Sequence, residues 1–216
     1  MGLKEPGLRG SLRNVSVGIT ALPDSDLTQY QITDPDDNLT VIDSESFDSR
    51  VPNSPNDESR LYQTFDDKFS LNWTFTFENI TSSNESDSFI FGFATDADST
   101  FTNLSNFVGL RYVDVSGEDD QGFETFTDDD SLGSPYDTFV QVDTGQSVTV
   151  SIDFDVESGD MTAEIIDSGT VIGTDSVTFD GSLNWIHHYP YIGGNGSFGD
   201  PGQHDVDIND HQFNSL

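Results

Sequence analysis

Residues 147–166 read SVTVSIDFDVESGDMTAEII, and this stretch decides the fold class. Apolar residues alternate with polar ones from Val148 to Phe154, and the alternation resumes from Met161 to Ile165. Alternation with a period of two on both sides of a Gly-containing turn predicts a β-hairpin with one apolar face. Because an isolated two-stranded hairpin is only marginally stable in water, the rest of the chain must supply further strands.

Further alternating segments on both sides of the hairpin predict an all-β antiparallel sandwich. The longest is residues 69–78, in which every second residue from Phe69 to Phe77 is apolar. Residues 50–60 contain Pro52 and Pro55 and are predicted as a loop. Short strands separated by turn signals, without helical periodicity, are typical of a sandwich or jelly roll. The other predicted strands are residues 29–33, 39–42, 89–93, 107–113, 123–127, 139–142, 171–179, 188–193 and 205–213.

The chain is strongly acidic. Its 216 residues include 40 Asp and Glu but only 7 Lys and Arg, which gives a formal net charge of -33. This repulsion opposes compaction in ordinary salt, whereas molar salt shortens the Debye length to about 3 Å and screens it. The 17 Phe residues argue against disorder, because disordered chains are poor in aromatics. We therefore predict a folded, halophilic protein with acidic outward faces, with an acidic calcium-binding chain as the alternative.

Composition also argues against several classes of protein. Nucleic acids and anionic membranes are bound through basic patches, which an acidic chain does not favour. The sequence contains no Cys, which excludes disulfides and thiol chemistry. No apolar run reaches the roughly 18 residues of a transmembrane helix, and no signal peptide is visible after Met1. We therefore expect neither a nucleic-acid partner nor insertion into a membrane.

The first 20 residues differ from the rest of the chain. Lys4, Arg9 and Arg13 are three of the 7 basic residues, and Glu5 is the one acid in this segment. A basic segment on an acidic protein favours docking onto an acidic surface. We predict that residues 1–40 form an arm that anchors the chain on a neighbouring subunit, with its own domain as the alternative docking surface. Residues 41–216 are predicted to form the jelly roll.

The order of these segments resembles the concanavalin A-like, laminin-G-like jelly roll. That family includes lectins, adhesion modules, spacer domains, a few glycosidases, and domains of the kind found in virion surface proteins of halophilic archaeal tailed viruses. The resemblance covers about residues 40–216 and implies the fold rather than one activity. It is carried by the aromatic strand at 69–78, FIFGF at 89–93, VGLRY at 108–112, the hairpin at 147–166, YIGG at 191–194 and DVDI at 205–208.

The resemblance implies a calcium site as the one candidate cofactor site. Lectins of this fold hold calcium with loop carboxylates and carbonyl oxygens. Asp96 and Asp98 are the candidate ligands, and Asp200, Asp205 and Asp207 form a second set. Because Asp is so common in this sequence, such pairs also arise without a metal.

A group of aromatic and histidine side chains is the candidate glycan contact, since both kinds of side chain can stack on sugars. His204 and His211 follow it along the chain. Zinc is not expected, because the histidine spacing is not that of a zinc site. The alternative is that the Trp belongs to the core and the histidines lie on loops. The group consists of Trp185, His187, His188 and Tyr189.

Residues 118–124, EDDQGFE, are the nearest match to the catalytic carboxylates of the retaining glucanases of this fold. Those enzymes place two carboxyls about 5 Å apart on one strand. The spacing here differs, and Gly122 is expected to interrupt a strand. We therefore predict a solvated acidic loop and no enzymatic activity.

Three functional hypotheses follow. The first is a structural virion surface protein of a halophilic archaeal tailed virus: a capsid decoration, turret or fibre subunit, made in the host cytoplasm. It would form a homo-oligomer, contact other virion subunits through its arm, and turn its jelly roll outward to bind host glycans. The second is a secreted or cell-surface glycan-binding module of a haloarchaeon, which would be extracellular. The third and most remote is a glycosidase.

Overall fold

A computed structural model describes residues 22–34, 37–51, 58–64, 70–83, 87–94, 107–114, 121–127, 138–179, 189–195 and 203–216. These residues form β-strands and one short 3-10 helix, Leu27–Gln29, which confirms the all-β prediction. No helix in these ranges is long and apolar enough to cross a membrane. The strands are β1 (Gln31–Thr33), β2 (Leu39–Val41), β3 (Phe47–Val51), β4 (Glu58–Tyr62), β5 (Ser70–Ser83), β6 (Asp87–Ala94), β7 (Phe107–Asp114), β8 (Gly122–Thr127), β9 (Val140–Gln141), β10 (Val148–Asp155), β11 (Asp160–Asp167), β12 (Thr170–Thr178), β13 (Tyr189–Asn195) and β14 (Gln203–Ser215).

The strands form two seven-stranded antiparallel sheets that pack as a sandwich. Sheet A has the order β1, β4, β13, β6, β7, β8, β9. Sheet B has the order β12, β11, β10, β5, β14, β3, β2. Consecutive strands of the chain therefore often lie in different sheets, as expected for a jelly roll.

The predicted hairpin forms part of sheet B as β10 and β11. Val150 lies opposite Ile165, and Ile152 lies opposite Ala163. The turn ends at Gly159, whose φ of 77° suits glycine because it has no Cβ. The buried positions of β10 alternate with partly exposed ones, so the apolar face lies in the core as predicted.

An aromatic layer joins the two sheets. Phe75 of β5 lies over Phe91 of β6, with ring centroids 4.4 Å apart. Phe93 of β6 stacks on Phe154 of β10 at the same centroid distance. Trp73 contacts Phe93 edge-on at 5.8 Å. Such aromatic pairs contribute about 0.5–1.5 kcal/mol each beyond the area they bury, so this layer is a main source of stability.

Strand β14 connects the two parts of sheet B. Its residue Ile208 lies opposite Phe47 of β3 and Phe77 of β5. A register shift between Asn209 and Gln212 accompanies a positive φ of 54° at Asp210. Strands β2 and β3 therefore belong to sheet B only through β14.

Two expectations about the N-terminal part need correction. Residues 50–60 are not a continuous loop, because their ends belong to β3 and β4, where Leu61 is fully buried. The described residues of this part, 22–34 and 37–40, lie in the sandwich, since β1 pairs with β4 and Leu27 is buried. The remainder of the predicted arm, residues 1–21, lies outside the described residues, so the arm stays a prediction.

Candidate functional site

The outer face of sheet A, which points away from sheet B, is deeply buried at β7. Val108 and Leu110 of β7 belong to the core between the sheets. Phe107, Arg111 and Val113 alternate with them on the outer face, and each is exposed by 4% or less. A strand buried on both faces carries a nearly continuous run of large side chains. Polar groups on this face therefore interact at a lower effective dielectric than on an open surface.

A row of residues that includes two cations crosses this outer face. Strand register places Arg60, Gly193, Ile90, Arg111 and Glu124 side by side on β4, β13, β6, β7 and β8. Neighbouring strands lie about 4.8 Å apart, so the backbones of Arg60 and Arg111 are separated by about 14 Å. We call these five residues the outer row.

Arg111 and Glu124 form a buried ion pair within the outer row. Their side chains are 5% and 6% exposed, and Arg111 Nε donates a hydrogen bond to Glu124 Oε1. β8, Gly122–Thr127, confirms the strand predicted at 123–127 and contains Glu124, so the prediction that 118–124 form a solvated acidic loop is wrong for this residue. Because the carboxylate of Glu124 is already bonded to the guanidinium of Arg111, the pair suits a structural role better than acid–base chemistry.

Arg60 differs from the other described arginines. It is 7% exposed, and its Nε and Nη1 atoms have no hydrogen-bond partner within the part of the chain that the structure describes. Its guanidinium carbon lies 5.3 Å from the centre of the Tyr62 ring. Arg50 and Arg111, in contrast, each contact a carboxylate. Burying a cation with unmet donors is unfavourable, so Arg60 stands out as a group that requires an anion.

Two glycines allow close packing on the outer face of sheet A. Gly92 of β6 and Gly109 of β7 lie opposite each other. A Cβ on Gly92 would lie 2.6 Å from Cζ of Phe107, and one on Gly109 would lie 2.5 Å from the same atom. The backbone approaches Gly109 as closely, since a Cβ there would lie 2.4 Å from the carbonyl oxygen of Phe91.

A second charged cluster lies on the outer face of sheet B. Arg50 Nη2 lies 2.5 Å from Asp207 Oδ1 and 3.4 Å from Asp48 Oδ2. Asn79 donates a second hydrogen bond to Asp207, of 2.6 Å. Burial and the nearby charge of Asp207 raise the pKa of Asp48. Burial opposes ionisation of Asp207 as well, but hydrogen bonds from Arg50 and Asn79 outweigh it and lower the pKa of that carboxyl.

In the second set of predicted calcium ligands, Asp207 is already bonded within the protein, whereas Asp200 lies outside the described residues. Both carboxylate oxygens of Asp207 already accept hydrogen bonds, from Arg50 and Asn79. Among the described residues, no group of three or more His, Cys, Asp or Glu side chains is placed to hold a metal ion. Asp96 and Asp98 lie outside those residues, so the calcium site stays a prediction there.

His211 is a core residue and not a loop residue. It lies in β14, is fully buried, and contacts the rings of Trp73 at 5.8 Å and Phe213 at 5.2 Å. Its Nδ1 lies 3.1 Å from the carbonyl oxygen of Ser25, and burial lowers its pKa to about 4. The alternative that the histidines lie on loops is therefore wrong for His211, and His204 also belongs to β14.

Most of the other predicted site residues lie outside the described ranges. Tyr189 is the first residue of β13 and pairs with Ala94. Sequence analysis did not single out Arg60 or Arg111. Arg111 gave a usable signal, because it is one of only 7 basic residues and lies inside the strand predicted at 107–113, whereas Arg60 fell in a predicted loop. The residues outside the ranges, whose roles stay predictions, are Lys4, Arg9, Arg13, Asp96, Asp98, Trp185, His187, His188 and Asp200.

Comparison with known proteins gives a fold but no sequence relative. No protein-family model matches the chain, and no curated protein matches it in sequence. Peanut lectin matches with a TM-score of 0.55 and 14% identity, over 91% of this chain and 97% of the lectin. The acidic lectin of winged bean matches with a TM-score of 0.58 and 11% identity, over 85% of this chain and 93% of the lectin. The chain has the legume-lectin fold.

The legume-lectin fold also occurs in the exoplasmic/lumenal domain of VIP36. That domain matches with a TM-score of 0.52 and 12% identity, over 87% of this chain and 84% of the domain. The matches extend over nearly the whole chain, and they confirm the predicted concanavalin A-like sandwich. At these identities they show the fold and no more.

Proposed function

We propose that this protein binds carbohydrate through its legume-lectin fold and does not modify it. The observation that carries the proposal is the extent of the shared fold, which covers 91% of this chain in the match to peanut lectin. The matching winged bean lectin is complexed with methyl-α-D-galactose, and the matching VIP36 domain is in a Ca2+- and Man3GlcNAc-bound form. A sandwich of this kind offers a rigid scaffold on which loops can form a glycan site.

The described outer face of sheet A favours binding over hydrolysis. A glycosidase of the usual kind needs two carboxyls about 5 Å or 6.5–9.5 Å apart that can act as acid, base or nucleophile. Glu124, the described member of the predicted acidic motif, is buried and bonded to Arg111. This argues against Glu124 as a catalytic carboxyl, while Glu118, Asp119 and Asp120 lie outside the described residues.

A glycan array in about 2–3 M salt, the range in which the charge of the chain is screened, tests the proposal. We expect binding to a restricted set of glycans that the free sugar competes. The same protein unfolded in urea serves as the control for nonspecific capture. Absence of binding to every neutral and acidic glycan, with and without added calcium, would overturn the proposal.

Calcium enters the proposal only through Asp96 and Asp98. We expect Asp96→Asn together with Asp98→Asn to weaken any calcium-dependent glycan binding, because neutral amides are poorer calcium ligands than carboxylates. Asp207→Asn is the matched control, since Asp207 already bonds to Arg50 and Asn79. If the unmodified protein binds glycans without calcium, the proposed role of calcium is wrong, but the proposal of carbohydrate binding stands.

The finer proposal places this module on the virion surface of a halophilic archaeal tailed virus. Its support is the charge distribution: the net charge is -33, yet three of the 7 basic residues lie in the first 20. An acidic body suits molar salt, and a basic arm suits attachment to an acidic neighbour. The alternative is a free, extracellular glycan-binding module.

Light scattering in about 2–3 M salt separates these two placements. We expect the full chain to be a homo-oligomer and a chain lacking residues 1–20 to be a monomer. Replacing Lys4, Arg9 and Arg13 with Gln provides a milder version of the same test. A monomer in every case would exclude anchoring by the arm and favour the free module.

A further inference from the structure

We propose that Arg60 is the anchor of a carboxylate-binding subsite on the outer face of sheet A, and that the glycan bound by this protein therefore carries a sugar acid. The inference rests on the proposed function and specifies its ligand class. It starts from the one described arginine whose buried donors lack a partner among the described residues.

The burial of Arg60 makes its unmet donors significant. The residue is 7% exposed, and Nε and Nη1 are both buried without a hydrogen-bond partner in the described ranges. Leaving a cation in such a place costs several kcal/mol. A guanidinium is a planar fork of N–H donors that matches the geometry of a carboxylate and binds it with charge-assisted hydrogen bonds. A neutral hydroxyl group can accept a hydrogen bond but cannot offset the charge.

The two other described arginines each have a carboxylate partner. Arg111, in the same outer row, bonds to the carboxylate of Glu124. Arg50, on the opposite sheet, bonds to the carboxylate of Asp207. In a chain with 40 acidic residues, an arginine with no carboxylate partner among the described residues is unusual. The outer row therefore contains two guanidiniums and one carboxylate, which leaves one positive charge for an external anion.

The residues around Arg60 suit a sugar ring beside the carboxylate. The ring of Tyr62, which is partly exposed, lies 5.3 Å from the guanidinium carbon. Gly193 is the neighbour of Arg60 on β13 and has no side chain, and Thr33 is its neighbour on β1. β1 is the edge strand of sheet A, and its residue Gln31, which lies opposite Tyr62, is exposed. A sugar acid that binds here must reach Nε and Nη1 of Arg60, which are buried in the free protein, and its ring would then lie beside Tyr62.

The experiment compares each sugar acid with its neutral parent. Glucuronate and galacturonate are titrated against glucose, galactose and acetate in molar salt, and the rise in Tm and the Kd are measured. We expect both uronates, or one of them, to bind at least tenfold more tightly than the neutral parent and than acetate. Acetate controls for an anion without a sugar ring.

Arg60→Met is the diagnostic variant and Arg50→Met is its matched control. Both remove one positive charge, so their effects on the net charge are equal. We expect Arg60→Met to abolish the preference for uronate, and Arg50→Met to retain it. Without ligand, Arg60→Met should unfold at the same or a higher urea concentration, because it removes a buried unmet charge. If it fails to fold, Arg60→Lys, which keeps the charge but loses the planar fork, is expected to weaken uronate binding severalfold.

The outcomes distinguish this inference from the proposed function. Equal affinity for uronates and neutral parents overturns the sugar-acid subsite and leaves carbohydrate binding intact. Acetate binding as tight as uronate binding overturns it too, because the site would then recognise an anion only. Unchanged preference in Arg60→Met overturns the role of Arg60. Failure of every sugar here and on the array overturns the proposed function itself.

Discussion

Acidification is expected to destabilise this protein through a single buried residue, His211. Its pKa in the folded protein is about 4, against 6.5 for an exposed histidine. Between these values the unfolded chain binds a proton at His211 and the folded chain does not, so stability falls as the pH is lowered from about 6.5 to about 4. By this linkage, a drop from pH 7 to pH 5 removes about 2 kcal/mol of unfolding free energy.

His211→Phe isolates this contribution. The phenyl ring keeps the aromatic contacts with Trp73 and Phe213 but cannot take up a proton. Urea unfolding followed by tryptophan fluorescence at pH 7, 6 and 5, at constant salt, gives the free energy of each protein. Carboxylates titrate in both proteins, so their effect cancels in the difference between the two.

We expect the wild-type protein to lose about 2 kcal/mol more than His211→Phe between pH 7 and pH 5. The variant will be less stable at pH 7, because the carbonyl of Ser25 loses its contact with Nδ1. That offset does not affect the test, which reads only the change with pH. Parallel pH profiles for the two proteins would refute the assignment of His211 as a neutral core residue.

Three further predictions concern the sheets, and urea unfolding measures each of them. Gly92→Ala places a Cβ against the carbonyl oxygen of Val108 and the ring of Phe107, and it is expected to cost about 2–4 kcal/mol. Gly145→Ala, at a positive φ in open space, should cost about 1 kcal/mol, and equal costs would contradict the close packing. Arg111→Met is expected to cost about 3–5 kcal/mol, because it removes the hydrogen bond from Arg111 to the buried Glu124. Adding Glu124→Met should recover most of this loss of stability. Additive effects of the two substitutions would argue against the pair. The pKa of Asp48 is raised in the folded protein, so its protonated form contributes stability in acid that is lost as the pH rises through the folded pKa. Asp48→Asn should therefore raise the free energy of unfolding at pH 7 by about 0.5 kcal/mol and have no effect at pH 3. A lower free energy of unfolding at pH 7 would contradict this sign.

The sandwich could be predicted because strands of sheet B, such as β10 and β5, have one face in the core and one face towards water. In β10, buried residues alternate with partly exposed ones, so the period of two is visible in the sequence itself. The same holds for β5 from Leu71 to Phe77. Alternation of this kind is a local property of the sequence, so it can be recognised without knowing the partner strand.

Strand β4 could not be predicted in the same way. Ser59, Arg60 and Leu61 are all buried, on both faces of sheet A, so polar and apolar residues follow one another without alternation. Pro52 and Pro55 nearby add loop signals. What makes the segment a strand is its pairing with β1 and β13, the latter more than 120 residues further along the chain.

The outer row and His211 depend on long-range register and backbone geometry. Glu124 meets Arg111 because β7 and β8 pair with one particular offset, and a shift by one residue would move it to the other face. His211 points into the core after the register shift that accompanies the positive φ of Asp210. A histidine in a polar sequence such as NDHQF gives no sign of that irregularity.

The position of β14 in sheet B has a consequence for biosynthesis. Of the described strands it is the last to be synthesised, yet it lies between β3 and β5, which are made early. While β14 is still in the ribosome, sheet B is incomplete, and β3 and β5 each present an unpaired edge towards the position that β14 will take. Such edges can pair with other chains, so this protein is at risk of aggregation until translation has passed residue 215.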